Sequence, residues 1–296
     1  MNDAACTAAP RDFLQRRAEP LAQEAVSSRY FLLTLREPEI ARRARPGQFV
    51  MLACRPDDPA SCDPLLPRPL AVLDADPDAG TLALLYYQAG RGTALLHRTV
   101  SDALAGRAGA ALRIIGPLGN GFTPLEKVDA HIGVGGGSGV APLVFFFRRL
   151  KAQGERRLIL AARSAEQLAR ADCVAAPQTA LHEATDDGTR GFRGNAVGAL
   201  AALLDGPLAG RRPGLYVAGP EPMMEAAALL ARQRGLPCRV SLEARMACGV
   251  GVCRSCVVEA LTPHAHSGLF RRAICQDGPV FDPAELAGVW SGVARP

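Results

Sequence analysis

The chain has 296 residues, 48% of them hydrophobic, which is enough for two or three domains with real cores. Thirty-four Lys and Arg against 29 Asp and Glu leave a net charge of +5, with no dense basic run. That balance suits anionic cofactors or an acidic partner surface and gives no sign of nucleic-acid binding. Asp3, Arg11, Asp12, Arg16, Arg17 and Glu19 leave no apolar secretory segment in the first twenty residues. Nine cysteines without such a signal point to a reducing, cytoplasmic setting. The most apolar run, 131–147, is broken by glycines and Pro142, so it reads as a turn and a buried helix, with no membrane span.

Residues 1–20 read as a weakly ordered leader. From Ala25 the pattern becomes short strands at Tyr30–Leu35, Gln48–Ala53, Pro69–Leu73, Thr81–Tyr87 and Leu112–Ile115, separated by Pro, Gly and Asp turns. Such spacing predicts an antiparallel barrel or sandwich over 21–125. The Pro- and Asp-rich segment 57–67 reads as an exposed loop. Arg68 stands at a strand start beside Pro69, and Gly90-Arg91-Gly92-Thr93 leads into an apolar helix. Thr93 is predicted as its N-cap. A glycine turn feeding a helix N-terminus offers free amides to an anion. An ordinary capped helix with a surface arginine is the competing reading.

Over 126–236, strand and helix patterns alternate. Strands are predicted at Ala130–Val134, Leu158–Ala162, Leu181–Thr185 and Leu215–Ala218. Helices are predicted at Leu143–Ala152, around Ala165–Arg170, at Ala196–Leu204 and at Met223–Arg234. The alternation predicts a parallel sheet covered on both faces. Gly135, Gly136, Gly137, Ser138 and Gly139 follow the first strand and open a helix, and Gly219-Pro220-Glu221-Pro222 closes the fourth. Sheets of this kind bind ligands at the carboxyl ends of their strands, so the two loops predict one nucleotide cleft.

The segment 237–296 carries Cys248, Cys253, Cys256 and, later, Cys275. The first three have the C-x4-C-x2-C spacing of plant-type [2Fe–2S] loops, whose fourth thiolate comes from further along the chain. Gly249 and Gly251 permit the sharp backbone turns such a loop needs. Zinc also takes four cysteines, but usually through paired C-x2-C knuckles. A disulfide framework suits this chain poorly, and chance burial of thiols is a further alternative. His264 and His266, between the third and fourth cysteines, read as solvated loop residues. Two histidines replace cysteines in Rieske centres, but four cysteines already suffice here.

In this order, the pieces resemble the ferredoxin reductase superfamily. Within it they are similar to the family of electron-transfer subunits that serve NAD-dependent dihydroorotate dehydrogenases. The resemblance runs from about residue 25 to 284. It rests on Ala44–Leu52, Gly116-Pro117-Leu118-Gly119-Asn120-Gly121-Phe122, Gly135–Leu143, the cysteine loop and Cys275–Phe281. It implies an FAD-binding barrel, an NAD-binding α/β domain and a small [2Fe–2S] domain.

FAD would be held through Arg68, Pro69, Leu70 and Ala71, with Arg68 at the pyrophosphate, and through Leu85, Tyr86, Tyr87, Gly92 and Thr93. NAD would dock at Gly135–Gly139, Gly219 and Pro220. The partner would be the FMN-containing catalytic subunit, in a heterotetramer of two plus two. Electrons would run from dihydroorotate through that subunit, the cluster and FAD to NAD, in pyrimidine biosynthesis. No residue of this chain need act as an acid or base on dihydroorotate. Two positions depart from the family pattern. Ala71 lacks the hydroxyl expected near the flavin, and Ala218 stands where related reductases carry cysteine, which implies slower or altered chemistry. Equivalent subunits of transhydrogenase, sulfide-oxidising or hydrogenase complexes share these three domains. A zinc-binding regulatory module is a rival of another class. Arg163, at the end of the second strand of the nucleotide domain, could meet a 2′-phosphate, whereas the resemblance favours NAD over NADP.

Overall fold

The computed structural model describes residues 13–55, 63–107, 111–264 and 268–287. Six strands close an antiparallel barrel: β1 (Leu14–Ala25), β2 (Tyr30–Arg36), β3 (Phe49–Leu52), β4 (Arg68–Asp76), β5 (Thr81–Tyr87) and β6 (Leu112–Leu118). Their order around the barrel is β1-β2-β5-β4-β3-β6, with helices α1 (Pro38–Arg43) and α2 (Arg91–Leu104) on the outside. Alternate residues such as Leu33, Leu35, Leu82, Leu84, Val72 and Ile114 fill the interior, as period-two strands require.

β1 differs from expectation, because it begins inside the segment read as a leader. It pairs with β6 through Leu14–Ala18 and with β2 through Glu19–Ala25, so it is the strand that closes the barrel. Residues 1–12 lie outside the described residues, as does most of the 57–67 loop.

The second lobe contains β7 (Ala130–Gly136), α3 (Val140–Arg149), β8 (Glu155–Ala162), α4 (Ala171–Val174), β9 (Thr179–Thr185), β10 (Phe192–Arg193), α5 (Ala196–Asp205), β11 (Pro213–Ala218), α6 (Glu221–Gln233) and β12 (Cys238–Ser241). The last segment adds β13 (Val257–Glu259), β14 (Arg271–Ala273), α7 (Ile274–Asp277) and β15 (Val280–Phe281). One sheet runs β10-β9-β8-β7-β11-β12-β15. All its neighbours are parallel except β12 and β15. The sheet thus extends past residue 236: β12 and β15 come from the segment that carries the cysteines.

The helix expected near Ala165–Arg170 is replaced by one 3-10 turn, Ala165–Gln167, followed by α4. Tertiary contacts explain the change. The carbonyl of Glu166 accepts from the amide of Ser28, and the Arg170 amide donates to Val26, which holds this segment against the β1–β2 turn. Helix α3 packs on both β4 of the barrel and β7 of the sheet. Phe145 enters the barrel core, while Phe146 and Phe147 pack beneath the sheet. No helix among the described residues is long and apolar enough to cross a membrane.

Candidate functional site

Two cavities meet where the barrel faces the sheet. The first, about 230 Å³, is lined by Arg68, Pro69, Leu70, Ala71, Leu85, Tyr86, Tyr87 and Thr93, so the barrel residues singled out in the sequence converge on it. Gly92 lies just behind. A Cβ there would collide with the Arg68 guanidinium, so the absent side chain leaves room for Arg68 over the first turn of α2. Nη1 of Arg68 donates to the Leu66 carbonyl at 2.7 Å. A fixed cation at a helix N-terminus fits a pyrophosphate. Thr93 is not the N-cap. Helix α2 starts two residues earlier with Gly90 as cap, and the Thr93 hydroxyl accepts from the Ala89 amide at 2.8 Å, tying down the preceding turn.

The second cavity, about 480 Å³, is lined by Gly136, Gly137, Ser138, Arg163, Gly219 and Pro220, among others. The two glycine loops touch: a Cβ on Gly139 would strike the backbone of Gly219. They therefore form one cleft at the carboxyl ends of β7 and β11, as the topology requires. Gly135 is the exception. It is buried within β7 under Val140 and faces neither cavity. Ala218 is buried at the wall of the first cavity, where Ser138 and Gly139 also stand.

Two residues at the junction, Tyr30 and Glu243, were not singled out as site residues by sequence reasoning, whereas Tyr87 was. Tyr87 and Glu243 line both cavities, and Tyr30 stacks edge-on against Tyr87 at 5.6 Å. Register places the tyrosine pair there, since Tyr30 and Tyr87 face each other across β2 and β5. Glu243 is open to the cleft yet surrounded by protein, and desolvation pushes its carboxyl up from the usual range. The only sequence signal for it was its place just ahead of the cysteine loop.

The cysteine loop lies against the barrel. Gly249 has φ of +71°, and a Cβ there would strike Met51 and press on Leu118. Gly251, at φ +85°, packs in the same way on Gln276. Both glycines therefore do what the spacing implied. Met51 and Leu118 share one core cluster with Cys256, Ile274 and Cys275. Cys256 and Cys275 are buried, Cys248 is half-buried and Cys253 is exposed. Burial, with Cys256 alongside, pushes the Cys275 thiol up to about 12. The Ser255 hydroxyl, 3.2 Å from the Cys253 sulfur, leads the contacts that draw that thiol down to about 6. The Cys253 amide donates to the sulfur of Cys248 at 3.4 Å.

Buried thiols at such a site call for a cation, because metal ligation is what deprotonates them. Among the described residues, no three His, Cys, Asp or Glu side chains converge closely enough for a single ion. Four cysteines, three on one glycine-turned loop and the fourth on α7, are the donor set that a [2Fe–2S] cluster would take. His264 is not a solvated loop residue: its Nε2 lies 3.2 Å from Oδ1 of the largely buried Asp277. His266 lies outside the described residues.

Residues 243–287 match the model of the iron-sulfur cluster binding domain of dihydroorotate dehydrogenase B. The electron transfer subunit of dihydroorotate dehydrogenase B (NAD(+)) from Geobacillus kaustophilus is 34% identical over 276 residues, covering 92% of this chain and 98% of that protein. The chain belongs to this family of electron transfer subunits. The subunit from Desulforamulus reducens is 33% identical over the same share of the chain. Among solved structures, the NADH-dependent reduced ferredoxin-NADP oxidoreductase studied for flavin-based electron bifurcation superposes with a TM-score of 0.74 at 27% identity. It covers 94% of this chain, and this chain covers 91% of it. The family carries a [2Fe–2S] cluster with FAD and NAD(H), and the two cavities and the cysteine loop provide a place for each.

Proposed function

We propose that this chain passes electrons between the catalytic subunit of a dihydroorotate dehydrogenase and NAD(H), through FAD held in the first cavity and a [2Fe–2S] cluster held by Cys248, Cys253, Cys256 and Cys275. The observation that carries this reading is the continuity of the site. Met246 and Pro279 line the flavin cavity, and each lies a few residues from a cysteine of the cluster set. When bound, the flavin and the cluster supply the hydride and one-electron chemistry, and the protein supplies position and environment.

Arg68 and the first turn of α2 hold the pyrophosphate. Leu70, Leu85 and Tyr87 wall the ring pocket. Gly137, Ser138, Gly139 and Gly219 let the dinucleotide backbone approach closely, with Tyr87 and Glu243 at the junction. Ala71 and Ala218 offer no hydroxyl or thiol there, so positioning rests on apolar walls and backbone. Arg163 lines the dinucleotide cleft beside Asp186, and we assign NAD as the coenzyme from the family. The domain borders follow: barrel 21–125, with β1 reaching back to Leu14, nucleotide lobe 126–236 and cluster segment 237–296.

The partner meets the cysteine lobe. Val252 is 80% exposed, Phe270 57% and Leu269 55%, all on the segment that carries the cluster cysteines. Exposed apolar groups concentrated on one lobe mark an interaction surface. The exposed Cys253 sits on that lobe, where an incoming subunit comes nearest the cluster. The complex is a two-plus-two heterotetramer in the cytoplasm. Phe270→Glu tests the surface. Co-purification with the catalytic subunit is expected to weaken at least tenfold, with cofactor content and NADH–ferricyanide activity unchanged, because losing a buried aromatic anchor costs about 2 kcal/mol or more. Undiminished co-purification would place the partner elsewhere.

A further inference from the structure

One side chain outside both cavities ties the three parts of the molecule together. Asn120 follows β6 in the chain that leaves the barrel for the nucleotide lobe. Its backbone amide donates to the Gly278 carbonyl at 2.6 Å. Its side-chain Nδ2 donates to the carbonyls of Asp277 at 3.0 Å and Val280 at 2.8 Å, and its Oδ1 accepts from the Val280 amide at 2.9 Å. All four bonds land on the turn between α7, which carries Cys275, and β15, the edge strand of the sheet. Only one amide orientation serves them, since flipping it would set oxygen against two carbonyls. Close packing reinforces the clamp: a Cβ on Gly119 would strike the Gly278 carbonyl and Pro279. Pro279 also lines the flavin cavity.

We infer that Asn120 is a positioning residue that locks the Cys275 turn to the flavin barrel and so sets the separation between the cluster site and the flavin site. The inference rests on the electron-transfer reading above. Asn120 is solvent-reachable, so its bonds add less to overall stability than to alignment. Small displacements of reacting groups by distant changes slow reactions by one to two orders of magnitude.

The test uses the cofactor-loaded protein and the variants Asn120→Ala and Asn120→Asp. Each is mixed anaerobically with NADH, the reductant, and flavin and cluster bleaching are followed separately, the cluster accepting one electron. Backbone hydrogen exchange of 277–281 is measured in parallel. Flavin bleaching is expected within twofold of the parent, cluster bleaching about tenfold slower, and exchange at Val280 faster, with iron and FAD content unchanged. The aspartate is expected to be worse than the alanine, because its carboxylate faces two carbonyl oxygens. Cluster bleaching at the parental rate despite faster exchange overturns the inference, as does an equal slowing of both signals. If the parent protein itself bleaches its flavin but never its cluster, the electron-transfer reading fails, and the inference fails with it.

Discussion

Replacing Cys253 by serine is expected to reduce electron exchange with the catalytic subunit by about 100-fold or more, while NADH–ferricyanide activity stays within twofold. Cys253 is the exposed member of the cysteine set, so the change leaves the packed core around Cys256 and Cys275 intact. The Ser255 hydroxyl leads the contacts that draw its thiol down to about 6, which favours the thiolate that would bind iron. A serine oxygen is a harder ligand, poorly matched to iron–sulfur chemistry. Even outer-shell changes at metal sites cost 10- to 100-fold, and loss of a ligand costs at least as much. The flavin and dinucleotide cavities are built from other residues, which is why the two rates separate. Both rates and the iron content are measured on one preparation. A full rate with the partner would show that the cluster is not the relay.

Replacing Arg68 by alanine is expected to weaken FAD binding about 100-fold. A guanidinium making two charge-assisted bonds to a pyrophosphate contributes about 3 kcal/mol, and 1.4 kcal/mol is tenfold in affinity. Arg68 is fixed by the Leu66 carbonyl and by its seat over Gly92, so little ordering is left to do when the ligand arrives. Flavin-fluorescence titration of the FAD-free protein reads the change. Excess FAD is expected to restore NADH–ferricyanide activity, and lysine at this position to fall between, because it cannot reproduce the planar fork. An unchanged affinity would place the pyrophosphate elsewhere.

The chemistry was more legible than the architecture around it. C-x4-C-x2-C with two glycines is a local signature, and Gly249 and Gly251 adopt the left-handed conformations it implied. The barrel strands from Tyr30 onward carry a period-two pattern that survives without context. β1 does not: only Ala18 and Pro20 of its residues are fully buried, and it is a strand because β2 and β6 pair with it from both sides. Likewise Cys238–Ser241 and Val280–Phe281 are too short to signal by pattern, and become strands by adding to a sheet already built. Arg68 and Gly92 are 24 residues apart in the sequence, and only the barrel closure shows that one makes room for the other. The clamp from Asn120 to Val280 spans 160 residues, and no periodicity reports such a bond. Glu243 was visible only as a residue before the cysteine loop, because its place between two cavities depends on how the lobes meet.

The most direct measurement of the central claim is a reconstitution. The purified protein, loaded with FAD and its cluster, is mixed anaerobically at equal stoichiometry with a dihydroorotate dehydrogenase catalytic subunit from the same genome. Dihydroorotate-dependent formation of NADH is then followed. The account predicts NADH only when both proteins are present, with the Cys253→Ser protein inactive in the same mixture. No NADH from two fully loaded proteins, with NADH–ferricyanide activity intact, would contradict it and assign this chain to a different redox partner.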